Sequence, residues 1–372
     1  MSEAPADTTL VTGFPAFTAR RMIRKVLEAE PGGKLYLLVR PKFRVALDEF
    51  LSSIDARDVR GRTTVLEGDV CDMDLGLAGG EYRALADEVT AIYHLAAIYF
   101  PGVKRDVAER VNVDGTRAVL ELAGECARLR RLAHFSTAEV SGARAGVVLE
   151  EELDCDQSFR NVYEETKFRA EKLVREASRR LPITILRPGV IVGDSRTGEI
   201  DKFDGPYYLT VLIVASPLDV HLPLPGRGSA PLHLVPIDFV IDAAHALCRD
   251  PRAVGKTFHL TDPAPFAARS VYELIARHAE KKPPRGTIPT ALARAVLKAP
   301  GLERLARAPL AFLESFNHMV LYNCRNTLAL LDGTGLRCPP FDGYVEHLVR
   351  YVREVHDARR RKLEEEVFDP FD

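Results

Sequence analysis

Short apolar runs alternate with helix-like stretches along the first half of the chain. Residues 35–39, 91–95 and 132–135 have the length and composition of buried strands. Helical periodicity lies between such runs and is clearest in residues 163–177. Repeated strand–helix–strand units make successive strands parallel, and a parallel sheet needs helices on both of its faces. The sequence therefore predicts an α/β domain with a doubly wound parallel sheet.

The pattern changes after Pro188. Glycine, proline and aspartate become frequent in residues 193–228, which favours long loops over further sheet layers. Residues 258–260 are expected to form a late strand that returns to the main sheet. Residues 292–297 and 344–355 are expected to be helical.

These patterns predict two domains. Residues 1–190 are expected to form the first one and to hold the cofactor and the catalytic residues. Residues 191–372 are expected to form a smaller, mostly helical substrate lobe, from which residues near 235–262 return to the first domain.

Composition narrows the class of protein. The 51 basic and 53 acidic side chains leave a formal charge of −2, so no nucleic-acid partner is expected. No run approaches the roughly 18 apolar residues of a membrane helix, so no integral membrane segment is expected either. The six cysteines form no Cys-x-x-Cys pair, and no secretion signal precedes them. We therefore expect free thiols, no metal site and a cytoplasmic location.

The turn after the first expected strand has the position of a dinucleotide-binding loop. We call it the cofactor turn, and it consists of Thr12, Gly13, Phe14, Pro15, Ala16 and Phe17. There a pyrophosphate meets the free N–H groups of a helix N-terminus. Loops of this kind normally have glycine at three positions, and in this chain those positions hold Gly13, Ala16 and Ala19. Alanine narrows the approach of the phosphates and resists positive φ, so on its own the turn fits an ordinary strand-to-helix loop equally well.

The residue after the second strand indicates which nicotinamide cofactor the chain binds. An acidic residue there would bind the ribose hydroxyls of NAD, but this chain has Arg40. A cation suits the 2′-phosphate of NADP, with Lys42 and Arg44 as helpers. A solvated arginine at a strand end is the alternative. We therefore expect NADP(H), with NADPH as the reduced form, rather than NAD.

Further cofactor contacts are expected at the ends of the third and fourth strands. Asp69 and Val70 follow the third strand, where Asp69 would contact adenine unless it is only a turn carboxylate. Small residues at the end of the fourth strand let the backbone approach a ligand, and they comprise Leu95, Ala96 and Ala97.

Three residues form the expected catalytic set: Thr137, Tyr163 and Lys167. In Tyr163-x-x-x-Lys167 the two side chains share one helical face, about 6 Å apart along the axis. The lysine lowers the pKa of the tyrosine and holds the nicotinamide ribose, while the phenol exchanges a proton with the substrate oxygen. Thr137 offers a hydroxyl that polarises the same oxygen.

The ordered motifs of residues 8–260 resemble those of the extended short-chain dehydrogenase/reductase superfamily. They include Phe-Ser-Thr-Ala-x-Val, Tyr-x-x-x-Lys and Leu-Arg-Pro-Gly-Val-Ile-Val-Gly. The resemblance implies a Rossmann-type domain, a nicotinamide cofactor and a Ser/Thr–Tyr–Lys active site, with Thr137 preferred to Ser136. It also implies that Asn112 supports the active-site helix. The residues it places against the nicotinamide are Pro188, Gly189 and Val190.

Residues 187–195 and 234–242, together with Asp204-Gly205-Pro206, are similar to the fatty acyl-CoA reductase and thioester reductase branch. An acyl thioester, an aldehyde or a ketone is then the expected small-molecule substrate, and a homodimer is compatible with the sequence. A generic substrate lobe explains these stretches equally well.

Two other functions stay open at this point. One is a sugar-nucleotide epimerase or dehydratase, or a dehydrogenase of the hydroxysteroid type. A dehydratase usually has an acidic residue beside the catalytic hydroxyl, and Glu139 leaves this open. The other is a non-catalytic NADP-binding sensor, which the alanines of the cofactor turn favour and the intact Tyr-x-x-x-Lys opposes.

Overall fold

The computed structural model describes residues 7–56, 58–100, 102–203, 205, 207–215, 221, 223–289, 291–292 and 318–367. The chain divides into two compact units. The first consists of Met1–Gly189, Val240–Thr261 and Tyr322–Arg337, and the second of Val190–Phe239, Asp262–Leu321 and Cys338–Asp372. Beyond Leu292, the expected helix at residues 292–297 lies outside the described residues, as do Asp204 and Pro206.

A parallel seven-stranded sheet forms the centre of the first unit. The strands of the chain are β1 (Thr8–Thr12), β2 (Lys34–Val39), β3 (Thr63–Glu67), β4 (Ala91–His94), β5 (Arg131–Phe135), β6 (Gly146–Val148), β7 (Ile183–Pro188), β8 (Val190–Val192), β9 (Leu224–Pro225), β10 (Leu234–Pro236), β11 (Thr257–Leu260), β12 (Thr287–Ile288) and β13 (Val320–Tyr322). The sheet order is β11-β7-β5-β4-β1-β2-β3, and every pairing in it is parallel. This confirms the predicted doubly wound, Rossmann-type sheet and the late strand that joins its edge.

Helices connect the strands and cover the sheet. They are α1 (Phe17–Ala29), α2 (Arg44–Ser52), α3 (Val59–Arg62), α4 (Gly79–Glu88), α5 (Arg105–Ala108), α6 (Gly115–Glu125), α7 (Val162–Ala177), α8 (Tyr207–Ala215), α9 (Ile237–Arg249), α10 (Ala268–His278), α11 (Arg325–Leu331) and α12 (Val345–Val367). A π-helical turn, Glu109–Asp114, joins α5 to α6. The Asn161 side chain caps α7 by accepting a hydrogen bond from the N–H of Glu164 at 2.9 Å, which fixes where the helix that carries Tyr163 begins.

The core of the first unit sets the position of the site. Apolar side chains of the strands, including Leu10, Ile92 and Leu132, pack against Leu122 of α6 and Val174 of α7. Burying one such side chain stabilises the fold by about 1.5–3 kcal/mol. Because the strands are parallel, their carboxyl ends meet at one edge of the sheet, where open α/β sheets bind their ligands.

The second unit has its own core. Buried residues of α10 and α12, such as Tyr272 and Val352, pack with Val192 and Leu234 of the two-stranded sheet β8–β10. The stretch that was expected to be loops, residues 193–228, contains α8 and β9. A nine-residue apolar run is too short for its periodicity to separate a helix from a loop or strand. None of the helices in the described part of the chain is long and apolar enough to cross a membrane.

Candidate active site

The cofactor turn leaves β1 at Thr12 and enters α1 at Phe17. Gly13 has a φ of +105°, and a Cβ added there would lie 2.7 Å from the carbonyl carbon of Leu95 and 2.8 Å from the nitrogen of Ala96. Only glycine fits so close to the backbone after β4. In the described structure no side chain caps the N-terminus of α1. A backbone cradle at an uncapped helix N-terminus fits the pyrophosphate of a dinucleotide.

The two alanines of the motif do not strain the backbone. Ala16 has a φ of −55° and is exposed, and its N–H donates to the carbonyl of Gly13 at 3.0 Å. Ala19 lies within α1 and is fully buried. Of the three positions, therefore, only Gly13 requires positive φ. The expected conflict between alanine and positive φ does not arise at either alanine, because both have a backbone conformation that any residue adopts.

The other residues of the turn differ in exposure. Phe14 is buried, with its ring centroid 5.9 Å from that of Phe50, whereas Pro15 and Phe17 are partly exposed. At the end of β4 the exposure rises along the chain from the buried Leu95 to the exposed Ala97. The turn and the end of β4 thus provide mainly backbone and small side chains at this edge.

The two expected adenosine contacts lie together. Arg40 follows β2 and Asp69 follows β3, and the Arg40 Nε lies 3.1 Å from Asp69 Oδ2. The Arg40 side chain is 50% exposed. Val70, which follows Asp69, is buried. The contact with Asp69 therefore holds the Arg40 side chain near the carboxyl ends of β2 and β3.

The structure brings Thr137 and Tyr163 together. Thr137 follows β5, and its Oγ1 accepts a hydrogen bond from the N–H of Glu139 at 3.2 Å. Tyr163 lies in the first turn of α7 and shares a side-chain hydrogen bond with Thr137. Its ring centroid is 4.7 Å from that of Tyr99. The two hydroxyls expected to contact one substrate oxygen are thus adjacent.

Burial keeps the Tyr163 phenol protonated. It raises the pKa of Tyr163 well above its usual value, and the charge of Glu139 and the nearby Tyr99 raise it further. The hydrogen bond with Thr137 acts in the opposite direction, because it stabilises the phenolate. At neutral pH the group is therefore a proton donor.

Lys167 lies one helical turn after Tyr163 and is almost completely buried. Its Nζ donates to the carbonyl of Phe135 at 2.6 Å. Burial lowers the pKa of Lys167 to about 8, although the charge of Glu171 favours the ammonium form. The ammonium therefore begins to lose its proton just above neutral pH.

The structure separates Ser136 from Thr137. The Ser136 Oγ donates to Glu171 Oε2 at 2.6 Å and is buried. Glu171 also accepts from Arg187 at 2.7 Å, and the pKa of this carboxyl falls to about 2, with Arg187 as the main cause acting against burial. The sequence interpretation did not identify Glu171, although its spacing of four residues from Lys167 places both on one helical face. The Ser136 hydroxyl is therefore bonded to Glu171, whereas Thr137 lies beside Tyr163.

A buried hydrogen-bond chain links the cofactor turn to α7. The Thr12 hydroxyl lies 2.9 Å from His94 Nδ1, and His94 Nε2 lies 3.1 Å from the Thr116 hydroxyl, which donates to the carbonyl of Asn112 at 2.7 Å. Asn112 Nδ2 then donates to Thr166 Oγ1 in α7 at 3.0 Å. Burial lowers the pKa of His94 to about 3, so this imidazole is neutral. Asn112 thus supports α7, as the resemblance implied, and His94 is a link that sequence reasoning did not single out.

The remaining expected contacts lie where β7 ends. Pro188 is its last residue, and the N–H of Gly189 donates to the carbonyl of Leu260 at the end of β11 at 3.1 Å. Val190 begins β8 in the second unit. The first two therefore lie at the carboxyl edge of the sheet.

Comparison with known families identifies one family whose model matches more than half of the chain. The model of an NAD-binding family described as male sterility protein matches residues 11–244. This stretch contains the cofactor turn, the catalytic set and the ends of β4 and β7.

The curated relatives include several reductases. The chain is 29% identical over 279 residues to fatty acyl-CoA reductase wat of Drosophila melanogaster. This match covers 64% of this chain and 53% of that protein. It is 30% identical over 286 residues to glycine betaine reductase ATRR of Emericella nidulans, with 72% of this chain and 22% of that protein covered. This chain therefore spans about half of the first relative and less than a quarter of the second.

Among solved structures, the terminal R domain from the myxalamid PKS-NRPS biosynthetic pathway is similar to this chain. The match covers 96% of this chain and 92% of that domain, with a TM-score of 0.81 and 27% sequence identity. A UDP-glucuronic acid 4-epimerase from Bacillus cereus in complex with NAD has a TM-score of 0.65 at 17% identity, which shows the fold alone.

Proposed function

Because the chain belongs to the extended short-chain dehydrogenase/reductase superfamily, in the NAD-binding family described as male sterility protein, we propose that it is an NADP(H)-dependent reductase of acyl thioesters or of related aldehydes and ketones. The pairing of Thr137 with Tyr163, one helical turn from the buried Lys167, is the observation that carries this proposal. The reductases among its relatives support the acyl substrate class.

Each member of the catalytic set has a role that follows from its surroundings. NADPH, when bound, would supply the hydride for the carbonyl carbon. Tyr163 donates its proton to the carbonyl oxygen, and Thr137 holds that oxygen by a hydrogen bond. The Lys167 ammonium stabilises the resulting phenolate and binds the nicotinamide ribose. The pyrophosphate is held by the backbone of the cofactor turn.

Arg40 supports NADP over NAD as the cofactor. A guanidinium forms charge-assisted, bidentate hydrogen bonds with a phosphate but gains little from a ribose hydroxyl. Asp69 holds Arg40 at the end of β2, and half of the arginine side chain is accessible. We assign the 2′-phosphate to this residue and the adenosine side of the cofactor to Asp69 and Val70.

The proposal is tested by screening the purified chain with NADPH and NADH against acyl-CoAs, aldehydes, ketones and nucleotide sugars. We expect oxidation of NADPH with a member of the first three classes. Conversion of a nucleotide sugar without net cofactor oxidation would favour an epimerase, and NADPH binding without turnover of any substrate would favour a sensor.

A further inference from the structure

One ionisable side chain beside the catalytic set has no role in the proposed carbonyl chemistry. Glu139 belongs to the short 3-10 turn Ala138–Ser141 that starts at Thr137. Its N–H donates to the Thr137 hydroxyl oxygen, and the same threonine side chain hydrogen bonds to Tyr163. The Glu139 side chain is 31% exposed, so it can exchange protons with solvent.

The carboxylate of Glu139 shares its cation with a second carboxylate. Arg160 Nη2 lies 2.8 Å from Glu164 Oε1 but 3.9 Å from Glu139 Oε1. Glu164 also accepts from the Arg160 N–H at 3.0 Å and from Asn161 Nδ2 at 2.9 Å, and its side chain is almost fully buried. Arg160 therefore stabilises the charge of Glu164 first, and Glu139 retains the weaker contact.

This arrangement makes Glu139 an acid of intermediate strength. Partial burial, followed by the charge of Glu164, raises the pKa of Glu139 to about 7, and Arg160 opposes the rise. The charge of Glu139 in turn raises the pKa of Tyr163 and of Tyr322, whose hydroxyl lies 3.0 Å from that of Ser141 in the same turn. An acid with a pKa near the working pH both gives and regains a proton readily during turnover.

Thioester reduction requires one proton more than the Tyr163 step supplies. Hydride addition and protonation of the oxygen give a tetrahedral hemithioacetal. When it collapses to the aldehyde, the C–S bond breaks and the sulfur leaves with the bonding pair. The hydroxyl proton returns to the Tyr163 phenolate, and the departing thiolate needs a proton from another group. An aldehyde substrate has no leaving group and needs no second acid.

We propose that Glu139 is a second catalytic acid, which protonates the departing sulfur of an acyl thioester. The inference rests on the proposed thioester reductase function. The neutral carboxyl gives its proton to the thiolate, becomes a carboxylate near Arg160, and regains a proton from solvent. Reduction of one thioester thus consumes one hydride and one solvent proton, and gives one aldehyde and one thiol.

The test compares Glu139→Gln with the wild-type chain on octanoyl-CoA and on octanal, each with NADPH. We expect the kcat for octanoyl-CoA to fall by about tenfold or more, while the kcat for octanal changes by less than about threefold. Removal of the Glu139 charge changes the Tyr163 pKa for both substrates alike. The fall in kcat for octanoyl-CoA divided by the fall for octanal therefore measures the protonation of the departing sulfur alone. Glu139→Asp, which keeps an acid, should recover part of the thioester activity.

Two further measurements make the outcome decisive. An aryl thioester of the same acid, whose thiolate leaves without a proton, should restore turnover in Glu139→Gln. Glu176→Gln removes an exposed carboxylate from α7 and should match wild type on both substrates. Equal losses on octanoyl-CoA and octanal, or no rescue by the aryl thioester, would overturn the role of Glu139. A wild-type chain that reduces octanal but not the thioester would instead overturn the thioester part of the proposed function, on which the role of Glu139 rests.

Discussion

The cofactor turn and the catalytic set lie in the same unit, but they use their residues differently. In the turn, the close contacts are made by backbone, and two of the three usual glycines are alanines with ordinary φ. In the catalytic set, Thr137 and Lys167 are buried and each makes a specific hydrogen bond. Ligand binding by backbone tolerates a change of side chain, whereas proton transfer depends on the side chain itself.

This difference between the two regions explains why alanine is tolerated at two of the three glycine positions of the cofactor turn motif. Ala16 is exposed and unstrained, and Ala19 packs in α1, so neither changes the path of the turn. Gly13 has no such freedom, since any side chain there would meet the backbone after β4. Substitutions in the two regions should therefore differ in size and in the step that they affect.

The largest effect is expected from Tyr163→Phe. A phenyl ring cannot transfer a proton, so kcat should fall by about a hundred- to ten-thousandfold while NADPH affinity stays near wild type. Steady-state kinetics and calorimetric titration separate the two quantities. Tyr82→Phe, which loses only a hydroxyl contact to Glu125, is the matched control. Substantial turnover by Tyr163→Phe would remove this residue from the catalytic set.

Gly13→Ala should be the most damaging change in the turn. The added methyl meets backbone at 2.7 Å in a left-handed conformation, which costs about 1–3 kcal/mol. We expect NADPH binding to weaken by about tenfold or more, together with a lower thermal midpoint of the free protein. Wild-type affinity and stability in this variant would show that the turn has a different backbone path.

The pH profile should report on Lys167. Its pKa is lowered to about 8, so the ammonium is present below that pH and is lost above it. Burial lowers this pKa and the charge of Glu171 opposes the change, while the buried imidazoles of His94 and His134 are neutral because burial lowers their own pKa values. With octanal, which does not need the Glu139 proton, we expect kcat/KM to fall by about tenfold per pH unit on the alkaline side. Lys167→Met should lower activity and NADPH affinity and remove this alkaline limb, and an unchanged limb would contradict the assignment.

Arg40→Ala should affect cofactor choice and not chemistry. The loss of a charge-assisted phosphate contact, worth about 1.5–3 kcal/mol, corresponds to roughly ten- to a hundredfold in NADPH affinity. Affinity for NADH should change little. Arg117→Ala, a surface arginine paired with Asp114, serves as the control. Equal binding of NADH and NADPH by the wild type would disprove the role of Arg40.

The smallest effects are expected at the two alanines. Ala16→Gly removes a methyl from the phosphate approach and should tighten NADPH binding slightly, against an entropic cost of about 0.5–1 kcal/mol. Ala19→Gly should leave affinity unchanged and lower stability by a similar amount, because Ala19 lies within α1. Titration of both variants decides the point, and tighter binding by Ala19→Gly alone would mean that the turn is out of register.

The sequence was sufficient to predict the sheet, because buried parallel strands are continuous apolar runs separated by amphipathic helices. The carboxyl ends of β1, β4 and β5 could be placed from the same runs, and with them the expected site residues. The region of α8 was less predictable, since its short apolar run has no distinctive period.

The polar partners inside the site were the least predictable part. The pairing of Arg40 with Asp69 and the capture of Ser136 by Glu171 join residues that are far apart in the sequence. Which of two adjacent hydroxyls faces the substrate depends on the position of α7 against β5, and no local pattern encodes that position. The sharing of Arg160 between Glu139 and Glu164 is likewise a tertiary property.

The most direct test of the proposed function is the transfer of deuterium from NADPH labelled at the transferable position of the nicotinamide. The purified chain would be incubated with octanoyl-CoA, and the products would be identified by mass spectrometry. A reductase of acyl thioesters should release free CoA together with octanal that carries one deuteron on the carbonyl carbon, or octanol that carries two where the aldehyde is reduced again, and Tyr163→Phe should form these products at a much lower rate. Unlabelled aldehyde, or no reduction of any thioester, aldehyde or ketone while NADPH binds, would contradict the account.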